Sequence, residues 1–169
     1  EDIEPDYPNL QQLIADMFET MYHSEGVGLA APQINKSIRL FVIDADPFHE
    51  NYPEAKGFKK VFINPEIVEV SDETWTFNEG CLSLPDMHED VVRPSKITIN
   101  YLDENFVEHE EEYDGICARV IQHEYDHLEG KVYVDRVAPM RKMMLKNKLR
   151  NISEGNVYVD YKMIFPNKR

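Results

Sequence analysis

The stretch "VIQHEYDHLEG" (residues 120–130) carries two histidines four positions apart, with a glutamate beside the first. At about 100° per residue, His127 lies only about 40° around a helix from His123, and Glu124 falls on the same side. Two imidazoles and a carboxylate therefore face one point in space. The same spacing occurs on ordinary amphipathic helices as an ion-pairing surface, and H-E-x-x-H has false positives as well as a mechanism. The rest of the chain has to supply further ligands if this helix holds a metal.

Zincin peptidases take their third ligand downstream of the second histidine. Downstream here lie Glu129, only two residues on, then Asp135 and Glu154, none in a recognisable zincin context. Upstream, "NEGCLSLP" (78–85) sets Cys81 between a glycine and a short apolar run. A thiolate with His123 and His127, leaving one position open, is a sound tetrahedral site for zinc or ferrous iron. His88, seven residues beyond Cys81, is a competing ligand in a stretch bounded by acidic residues. The other cysteine, Cys117, sits about 240° around the helix from His123 and reads as a small buried hydrophobe. His23, His49 and His109 read as solvent-facing.

Beyond the motif, 169 residues that are 42% hydrophobic give one domain, 1–169, with a real core. No apolar run approaches the roughly 20 residues of a membrane span, and no secretory signal is visible. Two cysteines are too few for a disulfide scaffold and fit a reducing compartment. The net charge of -14 is unevenly spread. Residues 136–169 hold nine of the 18 basic side chains and two of the 32 acidic ones, a surplus of seven positive charges. An acidic body argues against binding DNA, whereas a basic terminal segment could dock on a polyanion or be simply a solvated helix.

Hydrophobic spacing sets the elements around the motif. Leu10, Leu13, Ile14, Met17, Phe18 and Met21 recur with helical period after "PN" at 8–9, and Gly26 is a stop signal. Residues 38–44, 60–70, 73–77 and 96–102 are rich in β-branched and aromatic types, and "DEN" at 103–105 turns the last into "FVEHEEEY". The motif helix runs from Asp114, an N-cap type, to Gly130. A further helix is expected over 139–152 and a short final strand over "NVYVDYKMIF" (156–165). The expected class is α+β, with antiparallel sheets around a central metal-binding helix flanked by an N-terminal and a C-terminal helix.

A third segment, "GVGLAAPQ" (26–33), mimics a dinucleotide fingerprint, but a helix precedes it, no third glycine follows, and Pro32 interrupts the required helix. Its small residues instead let the chain pass close to a ligand, with Gln33 offering an amide donor. Taken together, "GVGLAAPQ", "EGCLSLP" and "QHEYDH" resemble the three signature motifs of the peptide deformylase family, in the right order and over most of the chain. Asn35 and Asp86 stand where many members have glycine, and the resemblance leads to the expectation that a segment usual before the first helix is truncated here.

The resemblance implies that Cys81, His123 and His127 bind one divalent metal, Fe2+ physiologically, with Zn2+, Ni2+ or Co2+ as substitutes. It implies Glu124 as general base and then acid, with Gln33 and the backbone N–H of Leu82 stabilising an oxyanion. An extended substrate, an N-formylmethionyl peptide, would contact Val27, Gly28 and Gly80, its methionine side chain entering a pocket near Val120. Asp126 would orient an imidazole or form a surface ion pair. Bacterial members further imply a cytoplasmic enzyme docked on the ribosome through the basic helix of 139–152. A zincin-like endopeptidase is the enzyme alternative, and a structural metal module closed by a fourth ligand is the non-enzyme one.

Overall fold

The computed structural model describes residues 1–166. Its order is α1 (Leu10–His23), β1 (Gly28–Ala30), β2 (Leu40–Asp44), β3 (Lys59–Val70), β4 (Thr74–Cys81), β5 (Leu84–Pro94), β6 (Lys96–Leu102), β7 (Glu108–Asp114), α2 (Gly115–Leu128), α3 (Pro139–Met144) and α4 (Lys146–Ser153), with short 3-10 turns between. Five strands form an antiparallel sheet in the order β1-β2-β3-β6-β7, and β4 and β5 make a separate hairpin. The expected α+β class holds.

β2 shows why the sheet is central. Alternate residues of a strand face opposite ways, and β2 buries both sets. Leu40 and Val42 join Met17 and Met21 of α1 on one face. Phe41 and Ile43 join Phe62, Ile99 and the Ile116 and Ile121 side chains of α2 on the other. A third cluster ties Met87 and Val91 of β5 to Tyr133, Leu145 and Ile152. The motif helix therefore lies between the large sheet and the hairpin, buried on most of its circumference.

Four expectations are corrected. β5 appears where acidic residues and Pro85 mask the alternation: Pro85, Met87, Glu89, Val91 and Arg93 point inward, two of them charged. β1, a strand not expected from the sequence, pairs Gly28 to Ala30 with Phe41 to Ile43. The helix of 139–152 is broken into α3 and α4 at Leu145, which turns inward into the third cluster. Residues 156–165 make no strand, because no ladder partner meets them. Asp114 does take the N-cap position of α2, but its side chain makes no capping bond. Glu54 instead accepts the Ile116 N–H at 3.3 Å.

Candidate functional site

Cys81 is the last residue of β4, followed by a two-residue tip, Leu82 and Ser83, before β5. The ladder register slips here: Gly80 faces His88, but Cys81 faces Leu84. Residues 85–87 have no ladder partner on β4 and form a bulge, with Asp86 in the left-handed region at φ 56°. Such bulges re-aim side chains, and this one turns the Cys81 thiol towards α2. The Sγ of Cys81 and one ring nitrogen each from His123 and His127 lie within 4.8 Å of one another. Cys81 Sγ and His127 Nε2 are 3.4 Å apart.

Burial opposes ionisation of the Cys81 thiol, but hydrogen bonds from His123 and His127 outweigh it and bring its pKa down to about 5. The shift favours the thiolate, the form that binds metals. His88 is not in this group. It is exposed, and its ring lies over Gly80, where an added Cβ would sit 2.5 Å from Cε1. His23 and His49 are exposed as expected, whereas His109 is half-buried and paired with Asp103 at 2.9 Å. Cys117 is buried, 3.6 Å from the Glu54 carbonyl, and its thiol is pushed up to about 11 by burial first and then by Glu54 and Asp114.

A second layer fixes the ligands. Glu79, two residues before Cys81 and on the same face of β4, meets His123 Nδ1 at 2.8 Å, leaving the other ring nitrogen for the cation. The same carboxylate accepts from Arg93 Nε and Nη2 at 2.7 and 2.9 Å and from Arg119 Nη1 at 2.8 Å. Despite burial, these bonds hold Glu79 well below the usual carboxylate range. Asp126 is buried but touches neither imidazole. It pairs with Arg93 at 2.8 Å and with Arg136, so its effect on His123 runs through Arg93 and Glu79. The sequence held a signal for Glu79 in its i, i+2 spacing to Cys81, and one for Arg119 a helical turn before His123.

Glu124, between the two histidines, is 4% exposed, and its Oε2 has no hydrogen-bond partner. Desolvation raises its pKa. Gly28 lies so close that a Cβ there would stand 2.4 Å from Glu124 Oε1. Gln33 is locked by its carbonyl oxygen, which accepts the Ala30 N–H at 2.9 Å. Its Nε2 therefore points at Ser83 Oγ, 3.0 Å away, and at Cys81 Sγ, 3.7 Å away. Val27, Gly28, Gln33, Gly80, Cys81, Leu82, Val120, His123 and Glu124 all line one cleft of about 810 Å³. His127 lies behind Cys81, 7% exposed.

A thiolate and two imidazoles, with an unpartnered acid at their side and a cleft before them, suit cation-assisted attack of water on a bound carbonyl. Chemistry of that kind belongs to the metal-dependent hydrolases.

Comparison with known proteins narrows the class. A family model described as polypeptide deformylase matches residues 1–143. The peptide deformylase of Flavobacterium johnsoniae is 52% identical over 96% of this chain and 87% of its own, and that of Christiangramia forsetii is 51% identical over 99% and 89%. Among solved structures, a peptide deformylase from Legionella pneumophila superposes with a TM-score of 0.77 at 41% identity, covering 92% of this chain and 88% of that one. Arabidopsis thaliana peptide deformylase 1B, solved with an inhibitor, gives 0.81 at 32% identity, covering 92% and 83%. The chain belongs to the peptide deformylase family, metalloenzymes that remove the N-formyl group from nascent polypeptides.

Proposed function

We propose that the cleft hydrolyses the formamide of N-formylmethionyl peptides, with Cys81, His123 and His127 holding one divalent cation. The donor set fits: one soft thiolate and two imidazoles converge and leave a side open to the cleft. Fe2+ is the proposed physiological ion, and Zn2+, Ni2+ and Co2+ suit the same donors. Bound there, the cation supplies Lewis acidity that activates water at neutral pH and polarises a carbonyl.

The chain's own residues do the rest. Glu124 takes a proton from the attacking water, and its raised proton affinity lets it keep that proton until the C–N bond breaks. It then gives the proton to the departing amine, so that water and formamide become formate and a free N-terminus. Charge gathers meanwhile on the former formyl oxygen. Gln33 Nε2 and the Leu82 N–H are the proposed donors to it, each worth about 3 kcal/mol in the transition state. β1 forms an edge of its sheet, so an extended peptide can run beside Val27 and Gly28 and opposite Gly80. Val120 lines the cleft floor and is proposed to meet the methionine side chain.

The observation that carries the reading is the buried Glu124 carboxylate with its unpartnered oxygen, set between two histidines that share a cation site with Cys81. An endopeptidase of zincin type lacks its third ligand: Glu129 is bonded to Arg39 at 2.8 Å, and Asp135 is paired with Lys142. A closed structural site lacks a fourth, since the described residues bring three together. The test is formate release from formyl-Met-Ala-Ser by anaerobically purified protein, with bound metal quantified on the same sample. Glu124→Ala is expected to keep its metal and lose about 10²- to 10⁴-fold in turnover, and Cys81→Ser to lose both. Near-normal turnover in Glu124→Ala would sink the mechanism.

Ribosome docking through the basic segment, in a bacterial cytoplasm, completes the proposal. Arg141 and Lys142 are held by Glu89 and Asp135, so docking falls to the exposed Lys146, Lys148 and Arg150 of α4. Lys168 and Arg169 lie outside the described residues. Among the described residues no helix is long and apolar enough to cross a membrane.

A further inference from the structure

Residues 156–166, beyond the stretch matched by the family model, form neither helix nor strand, yet they fold back over the site. Val157 packs into the cluster that includes Cys81 and Leu84. Tyr158 to Tyr161 then wall the cleft containing Glu124, while Asp160 to Pro166 wall a neighbouring groove shared with α1. The segment is a strap laid between the two depressions. From it the half-buried Tyr161 hydroxyl donates to the Leu82 carbonyl at 2.7 Å.

That carbonyl belongs to the peptide joining Leu82 to Ser83, the tip of the β4–β5 hairpin. On one side of it is the Leu82 N–H. On the other is Ser83, whose Oγ accepts from Gln33 Nε2 at 3.0 Å. The tip has little turn chemistry of its own. Two-residue hairpin loops favour Asn, Asp or Gly with positive φ, whereas Leu and Ser stand here and neither is in the left-handed region. The Tyr161 bond gives this peptide plane a hold from outside the hairpin.

We propose that Tyr161 is a positioning residue: its bond to the Leu82 carbonyl fixes the hairpin tip and, through it, both oxyanion donors. The proposal rests on the reading of Gln33 and Leu82 as those donors. A tyrosine hydroxyl is protonated at neutral pH, as a donor must be.

The experiment compares Tyr161→Phe, Gln33→Ala and the double variant in the full, metal-loaded chain, by steady-state deformylation of formyl-Met-Ala-Ser with bound metal and Tm measured alongside. Tyr161→Phe keeps the ring that walls the cleft. It is expected to lower kcat about tenfold, as a small misplacement of donors does, with KM within about twofold and metal unchanged. The double variant is expected to lose less than the product of the single losses, because both act on one donor pair. Unchanged kcat in Tyr161→Phe beside a strong loss in Gln33→Ala overturns the proposal and leaves the donor reading standing. An inert Gln33→Ala overturns the donor reading and the proposal with it. A Tyr161→Phe effect confined to KM, or one that follows lost metal or a lowered Tm, shows a wall or a brace instead and also overturns it.

Discussion

Replacing Glu79 by glutamine is the sharpest probe of how the ligands are held. The shape hardly changes, but the charge goes, and one of two accepting oxygens becomes an NH₂ group. Glu79 now accepts from Arg93 twice, from Arg119 once and from His123 once, within 2.9 Å in every case. Glutamine would turn donors towards donors, in a place where the side chains of Glu79 and Arg93 are 4% and 0% exposed. Removing one partner of so buried a pair costs about 3–5 kcal/mol, because the other charge is left uncompensated. A second cost falls on the metal. Loss of the group orienting a ligating imidazole weakens binding about 10- to 100-fold, which is about 1.4 to 2.8 kcal/mol. Urea unfolding of metal-free protein should then show the first loss alone, and metal-loaded protein both. Competition against a chromophoric chelator gives the second directly. A stability loss under about 1 kcal/mol, with metal affinity unchanged, would refute the claim that Glu79 holds the site.

Gly28→Ala would place a methyl group against the Glu124 carboxylate, 2.4 Å from Oε1 and 2.7 Å from Cδ. Turnover should fall about 100-fold with metal content and Tm nearly unchanged; full activity would show that Glu124 can move without consequence. Chelation should lower Tm and added Zn2+ or Fe2+ restore it, by about 2.7 kcal/mol at a metal concentration a hundredfold above Kd, as read by calorimetry. At the far end of the sheet, partial burial pushes the Glu111 carboxyl up, but hydrogen bonds from Tyr113, Tyr101 and Lys60 more than reverse this and hold it at about 2. Its contribution is complete above pH 4.5 and is lost as pH falls towards 2. Because the group is partly exposed, wild type should exceed Glu111→Gln by only about 1 kcal/mol at pH 7, the gap closing across that acid window in urea titrations.

The candidate site residues on α2 were legible because their spacing is local. His123, Glu124 and His127 share one side of one helix, and the apolar run of β2 and the β-branched composition of β3 and β6 announce themselves. What escaped depends on partners distant in sequence. β5 hides its pattern because two of its inward positions are Glu89 and Arg93, and a charged inward residue reads as solvent-facing until its counter-charge is seen. Asp126 was read as orienting an imidazole or forming a surface ion pair; it forms ion pairs, buried ones with Arg93 and Arg136, while Glu79 holds the His123 ring, because nothing in the sequence says which carboxylate reaches which ring. The strap of residues 156–165 has strand composition but no ladder partner, and Tyr161 is bonded through its side chain instead. Asn35 and Asp86, both where glycine is usual in the resemblance, sit at φ 62° and 56°. The left-handed region explains the usual glycine, and Asn and Asp are the residues that tolerate it best after glycine.

The same buried charges explain how two separately folded elements come to share one cation. Glu79 and Glu89 stand directly opposite each other across β4 and β5, an arrangement that destabilises a bare hairpin. Each is neutralised from outside the pair: Glu79 by Arg119 of α2 as well as by Arg93, and Glu89 by Arg141 of α3 at 2.7 and 2.8 Å. Arg93 also reaches Asp126 on α2. The hairpin that carries Cys81 is thereby fastened to the helix that carries His123 and His127 by bonds that need no metal. Three donors within 4.8 Å are then a product of the fold, and binding a cation does not have to draw two elements together. The ion pair to α3 also ties the hairpin to the run of chain, α3 and α4, that leads to residue 156.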